Sequence, residues 1–251
     1  MGKVLPAAWT EIPPAIAERF GSQAGRQRAM VHENHLLLVT HLVPDADDVE
    51  RKAAIFWRKP DGSWKAAGEA KGGLHALRGV VDAYRQRAIA LEAELEKAKR
   101  AADYFGILTS VAPILRAARH LHKTLQEARD AIKNDQDIIA LRDMAGDAER
   151  TAELVQQDAK HGLDYTTARR AEEQAETADH IAKSSHRLNL IAALFLPISA
   201  LGSVFGVNLA HGLENKAAPW LFWGFIAASF IFGFIVRATI SKKEDGNSKT
   251  T

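Results

Sequence analysis

Two sets of side chains have types and spacing that could do chemistry, a run of carboxylates and a seam of small and polar residues. Asp143, Asp147, Glu172, Glu173, Glu176 and Asp179 fall within Asp137–Arg187, a stretch with eleven acidic and seven basic residues. Their carboxylates are candidate ligands for a divalent ion. The same charges also suit the solvated surface of a coiled coil. The second set is a seam of small and polar residues: Ala171, Ala175, Ala178, Ala182, Ser185, Asn189, Ala192, Leu196, Ser199, Ser203 and Gly206. They recur at alternating steps of 4 and 3, the spacing of one helix face. One reading is a tight helix–helix contact, since small residues let backbones approach. The other is a pore lined by Ser185, Asn189, Ala192, Leu196, Ser199 and Ser203, with Leu188 or Leu196 as a hydrophobic constriction. A chain with two spans cannot enclose a pore alone, so the second reading needs an oligomer.

Other chemistry is poorly supplied. The chain has no cysteine, which excludes disulfides, thiolate nucleophiles and Cys-ligated zinc. Ten histidines are scattered. His120 and His122 diverge on a helix, and the turn predicted between His32 and His35 separates that pair. Both pairs read as surface or packing residues. His180 and His186 lie six apart and share a helix face poorly. There is no nucleotide loop, no HExxH and no supported Ser-His-Asp set, so an enzyme is not expected.

The elements that carry the seam are unusual. The 251 residues hold 33 basic and 31 acidic side chains, and a net charge of +2 gives no field for nucleic acid. Charge nevertheless stops at two places. Leu188–Val207 and Ala217–Val236 are twenty residues each without a charged side chain. About twenty apolar residues span a bilayer as a helix. The connector, 208–216, is short, so the two spans (188–207 and 217–236) form an antiparallel hairpin. Lys183, Arg187, Arg237, Lys242 and Lys243 flank it on one side. The positive-inside rule then places both termini, including the tail 237–251, in the cytoplasm. Trp220 and Trp223 suit the outer interface. Met1–Trp9 shows no signal-peptide pattern.

Residues 1–73 read as a small α+β cytoplasmic domain. Pro13-Pro14 opens a short helix and Gly21 closes it. Arg26–His32 and His35–Val43 flank Glu33-Asn34 as a hairpin, and Ala54–Arg58 and Trp64–Ala67 flank Pro60-Asp61-Gly62. About four antiparallel strands follow from that. Gly72-Gly73 marks the boundary. Residues 74–187 read as a helical coiled-coil stalk. Tyr84, Ala88, Leu91, Leu95, Ala98, Ala102 and Phe105 form one heptad seam, which Pro113 kinks or interrupts. Asn134-Asp135 is a turn, with Asp135 or Asp137 as the cap of the next helix. A continuous helix from Asp137 to Val207 extends about 105 Å at roughly 1.5 Å per residue. The fold class is a mainly α membrane protein: α+β domain, stalk and terminal two-helix hairpin.

At the end of the first span stands Gly206-Val207-Asn208, preceded by Phe195-Leu196-Pro197. This resembles the CorA superfamily of divalent-cation channels and transporters, ZntB-like members included. That family carries Gly-Met-Asn at this place; here Val207 replaces the Met. The order of cytoplasmic domain, stalk, proline-containing first span and second span is also similar. The resemblance implies a homo-oligomer, a pentamer with five first spans around the pore, integral to a bilayer such as a bacterial inner membrane. Asn208 then contributes a ring of carboxamide oxygens at the outer mouth, and Glu214 a ring of carboxylates. The plainer alternatives are a helix C-cap for Asn208 and a loop charge paired with Lys216 for Glu214. The acidic stalk residues, on this resemblance, are candidate feedback sites between protomers.

The expected function is passage of divalent cations, Mg²⁺ first, with Zn²⁺, Co²⁺ or Ni²⁺ as alternatives. Oxygen donors suit a hard cation that keeps its water. Two other readings compete. One is a ligand- or partner-gated membrane effector with a CorA-like membrane part. The other is a non-conducting, membrane-tethered coiled coil.

Overall fold

The computed structural model describes residues 5–6, 9–21, 25–44, 52–68, 72–206, 223–224, 226–228 and 230–235. The elements are α1 (Pro14–Ala17), β1 (Arg28–His32), β2 (His35–His41), β3 (Ala53–Arg58), β4 (Trp64–Gly68), α2 (Gly73–Leu95), α3 (Ala101–Ala131) and α4 (Gln136–Gly206). Two compact units divide the chain, Met1–Arg169 and Arg170–Thr251. The connector 208–216, the tail 237–251 and most of the expected second span lie outside the described residues. So do the side chains of Pro197, Ile198, Leu201, Val204 and Phe205. Among the described residues, no helix is long and apolar enough to cross a membrane.

In the first unit the four strands form an antiparallel meander in the order β1-β2-β3-β4. The turns predicted from sequence set its register. Glu33 and Asn34 have φ of 47° and 62°, the left-handed values that a two-residue hairpin turn requires. They set His32 directly opposite His35, with Met30 opposite Leu37. Asp61 shapes the second turn by accepting from the Ser63 backbone N–H at 2.9 Å. β2 is apolar without alternation because both sheet faces are covered. Leu36, Leu38, Ala54 and Phe56 join the core made with α2, α3 and α4. Leu37, Val39, Ile55 and Trp57 join Ile12, Ile16 and Phe20 on the other face.

Polar ties lock the layers. Buried Gln27 donates to the Ala117 carbonyl of α3 at 2.8 Å. The Tyr84 hydroxyl of α2 is 3.1 Å from the carbonyl oxygens of both His41 and Leu42. Gly73 opens α2 with φ of 61°, and a Cβ there would stand 2.6 Å from the Trp64 carbonyl oxygen. No other residue type tolerates both conditions, which gives the Gly72-Gly73 boundary a physical reason.

Two expectations about the helices are corrected. The seam from Tyr84 to Phe105 does not continue as one face. α2 ends at Leu95 and α3 begins at Ala101, leaving Ala102 exposed and Phe105 65% exposed. The break has its own signal. The Asp103 carboxylate accepts from the backbone N–H of Arg100 at 3.0 Å and from the Arg100 guanidinium at 2.9 Å. It thereby fills donors that a helix start leaves open. That carboxyl falls from its ordinary 3.8 to about 2, chiefly through the Arg100 side chain. Of the two outcomes expected at Pro113, a kink or an interruption, the interruption does not occur: Pro113 lies inside α3. α3 then turns Ile107, Val111, Ile114, Leu115, Leu121 and Leu125 into the core.

Candidate functional site

The candidate site is built on the apolar and small-residue part of α4 within the second unit. This part has two unlike faces. Ala171, Ala175, Ala178, Ala182, Ser185, Asn189, Ala192, Leu196, Ser199 and Ser203 are all exposed. Large apolar neighbours are equally bare: Leu188 is 64% exposed and Leu196 66%. No described element of the chain covers this face. Such an array is costly in water and needs either lipid or protein against it.

The opposite face is partly covered. Leu190, Ala193 and Leu194 are half-buried. Leu194 lies two residues from both Ala192 and Leu196, hence about 200° around the helix from the seam. Residues 230–235 are helical, and Gly233 is buried while its described neighbours in that stretch are exposed. A Cβ on Gly233 would fall 2.8 Å from Leu194 Cδ1 and 3.5 Å from the Leu194 carbonyl oxygen. The second hydrophobic segment therefore meets α4 backbone to backbone, on the side away from the seam. The sequence reading missed this contact. Its only signal is a lone glycine in Phe230–Phe234, where every other residue is bulky.

Val207, Asn208 and Glu214 lie outside the described residues, as does any side-chain detail at the close of α4. Among the described residues, no group of three acidic or histidine side chains is placed to hold a metal. Asp143 pairs with Arg142 at 2.9 Å, and Asp179 with Lys183 at 2.6 Å. Asp147, Glu172, Glu173 and Glu176 are exposed. Asp143 and Asp147 belong to the first unit and the other four to the second.

The histidines are structural where they are ordered by partners. His35 Nδ1 accepts from the Trp57 indole N–H at 3.2 Å. The indole is a donor only, so that ring nitrogen carries a lone pair. The turn brings His32 and His35 together rather than apart, because it has just two residues. His122 of α3 meets Glu149 of α4 at 2.7 Å, and Arg119 reaches Glu149 at 3.2 Å and Glu153 at 3.0 Å. This network clamps α3 to α4 and faces no site residue.

Comparison with known proteins bears on the whole arrangement. A family model described as CorA-like Mg²⁺ transporter protein matches residues 73–242. The chain is similar to the solved structure of the full-length CmaX protein, with 12% identity and a TM-score of 0.48 over 92% of this chain and 84% of that one. It is also similar to the ZntB cytoplasmic domain from Vibrio parahaemolyticus RIMD 2210633, with 9% identity and a TM-score of 0.51. That likeness covers 64% of this chain and 80% of the other, and is one of fold. No curated protein matches the chain.

Proposed function

Because the chain belongs to the CorA-like Mg²⁺ transporter protein family, we propose that it forms a homo-oligomeric channel passing divalent cations, Mg²⁺ first, across a membrane. The observation that carries this reading is the asymmetry of α4. Its seam of small and polar residues is bare from Ala171 to Ser203, while its back is met at Leu194 by the second segment. A bare seam on the inside and a covering helix on the outside is the arrangement of a pore-lining helix. In this reading Leu188–Val207 and Ala217–Val236 are the two spans, five chains assemble, and both termini face the cytoplasm. Ser185, Asn189, Ser199 and Ser203 line the path, and Leu188 or Leu196 closes it by dewetting.

Asn208 then offers its carboxamide oxygen to a hydrated ion at the outer mouth, and Glu214 concentrates cations there. Flow is passive, driven by the membrane potential and the concentration gradient. The test is reconstitution of the full chain in liposomes with a Mg²⁺-sensitive dye inside, together with native mass measurement of subunit number. Mg²⁺ entry by a pentamer supports the proposal. An intact oligomer that passes no divalent ion favours the non-conducting coiled coil instead.

A further inference from the structure

We propose that Gly233 is a positioning residue: it sets how far the seam of α4 stands from the pore axis by fixing, from behind, the distance between the two hydrophobic segments. This rests on the pore reading above. Gly233 is singled out by its surroundings. Gly202 and Gly224 also lie in hydrophobic sequence, yet among the described residues a Cβ on either would meet nothing within 4 Å. At Gly233 it would meet Leu194 Cδ1 at 2.8 Å, the Leu194 carbonyl oxygen at 3.5 Å and its Cα at 3.6 Å. The Leu194 side chain occupies the space a Cβ needs, and the backbone atoms stand behind it at ordinary contact distance, so a lone Cβ displaces only a methyl while a branched side chain presses on leucine and backbone together.

Direction follows from the helix geometry. Leu194 faces about 200° away from Ala192 and Leu196. A branched side chain at Gly233 presses the two segments apart, and α4's share of that movement carries the seam toward its counterparts in the neighbouring chains. The ion path narrows, and the dewetted constriction at Leu196 closes more firmly. Removing the Leu194 side chain makes room for the added bulk and returns the helix to its place. The effect is mechanical and involves no group that touches the ion.

The test compares divalent flux in liposomes for the full chain and for Gly233→Ala, Gly233→Val, Gly224→Val and the double variant Leu194→Ala/Gly233→Val. Gly233→Val is expected to lower flux about tenfold, the scale of one overpacked contact, with Gly233→Ala close to the native chain. Gly224→Val leaves flux unchanged, and the double variant restores it. Because the chain has no cysteine, Leu194→Cys/Gly233→Cys provides a second readout: an oxidant should form one disulfide within each chain. Native flux in Gly233→Val, or no disulfide under oxidant, overturns this inference while leaving the channel standing. If the native chain passes no divalent ion, the channel reading falls and this inference falls with it.

Discussion

Arg58 donates from Nε to Asp135 Oδ2 at 2.7 Å, and Asp135 uses its other oxygen to cap α4. Oδ1 accepts from the backbone N–H of Asp137 at 3.0 Å and of Ile138 at 3.1 Å. Both side chains of the ion pair are only 11% exposed. One carboxylate thus fastens the long helix to the end of β3. Asp135→Asn keeps a capping oxygen but strips Arg58 of its counter-charge. The expected cost is about 2–3 kcal/mol, the scale for a largely buried charge losing its partner. Asp135→Ala adds about 1 kcal/mol for the lost cap. Thermal melts of the full chain, with hydrogen exchange at the amides of Asp137 and Ile138, separate the two. Fast exchange at those amides in the alanine variant alone is the expected pattern.

Gly162 of α4 lies under the Tyr104 ring, where a Cβ would stand 2.8 Å from Cδ1. The Tyr104 hydroxyl is held by the Ala98 carbonyl at 3.0 Å, so the ring has little freedom to retreat. Helix propensity alone favours Gly162→Ala by about 1 kcal/mol. Overpacking opposes it by about 1–3 kcal/mol. The substitution is therefore expected to lower the melting temperature in the native background and to raise it in a Tyr104→Ala background. The same sign in both backgrounds contradicts the contact.

The Asp103 cap makes a statement about acid. Its folded value, about 2, lies below the ordinary 3.8. A depressed carboxyl contributes stability above its unfolded value and loses it as pH falls through the folded one. The start of α3 should therefore hold at pH 4 and fray on descent toward about pH 2. Carbon-detected NMR of the Asp103 carboxyl gives its midpoint directly. A midpoint near 3.8 in the intact chain would mean that the Arg100 contacts do not persist in solution.

Ala178 and Ala182 are exposed, so among the described residues leucine at either position has no intramolecular neighbour to disturb. An exposed substitution ordinarily changes stability by less than about 0.5 kcal/mol. In a close-packed seam between copies the cost is about 1–3 kcal/mol per contact. Native mass spectra are expected to show Ala178→Leu and Ala182→Leu shifting the oligomer toward smaller species. Melting of the first unit should stay unchanged. An oligomer unaffected by both changes removes the seam from the interface.

Asn208 separates cap from filter. Glycine adopts the left-handed conformation of a helix C-cap readily, so Asn208→Gly preserves that role. It removes the oxygen ring. Assembly with near-native stability and lost divalent flux or selectivity is the expected result. Asn208→Asp, which adds charge, is expected to bind cations more tightly and release them more slowly. Unchanged conduction in Asn208→Gly would falsify the filter role.

The sheet was legible because turn chemistry is local. Glu33-Asn34 and Pro60-Asp61-Gly62 specify their own backbone angles, and Gly62 has φ of 85°. A cap at Asp135 or Asp137 was legible for the same reason, and the structure uses Asp135. The break between α2 and α3 was not, because apolar residues at steps of 4 and 3 run straight through Leu95–Phe105. Periodicity reports a face but not a change in which face meets the core. For the candidate site, the seam could be read from spacing. Its covering contact at Gly233 could not, since which glycine meets a neighbouring backbone depends on how two segments cross.

Along α4, Ala159 is the last buried residue among those described, and the exposed seam begins twelve positions later at Ala171. The first part draws its stability from contacts made once the chain closes on itself, so its folding equilibrium has no concentration in it. The later part has no buried residue of its own among those described, only the half-buried contact with Gly233 at Leu194, and a lone helix in water is marginal. Its order must be drawn from whatever binds the folded form, a term that grows with the logarithm of ligand or partner concentration. The same helix thus obeys two mass-action laws, unimolecular at its start and multimolecular toward its end. In water without lipid, diluting the protein should leave the sheet and its helices intact while loosening the later part of α4.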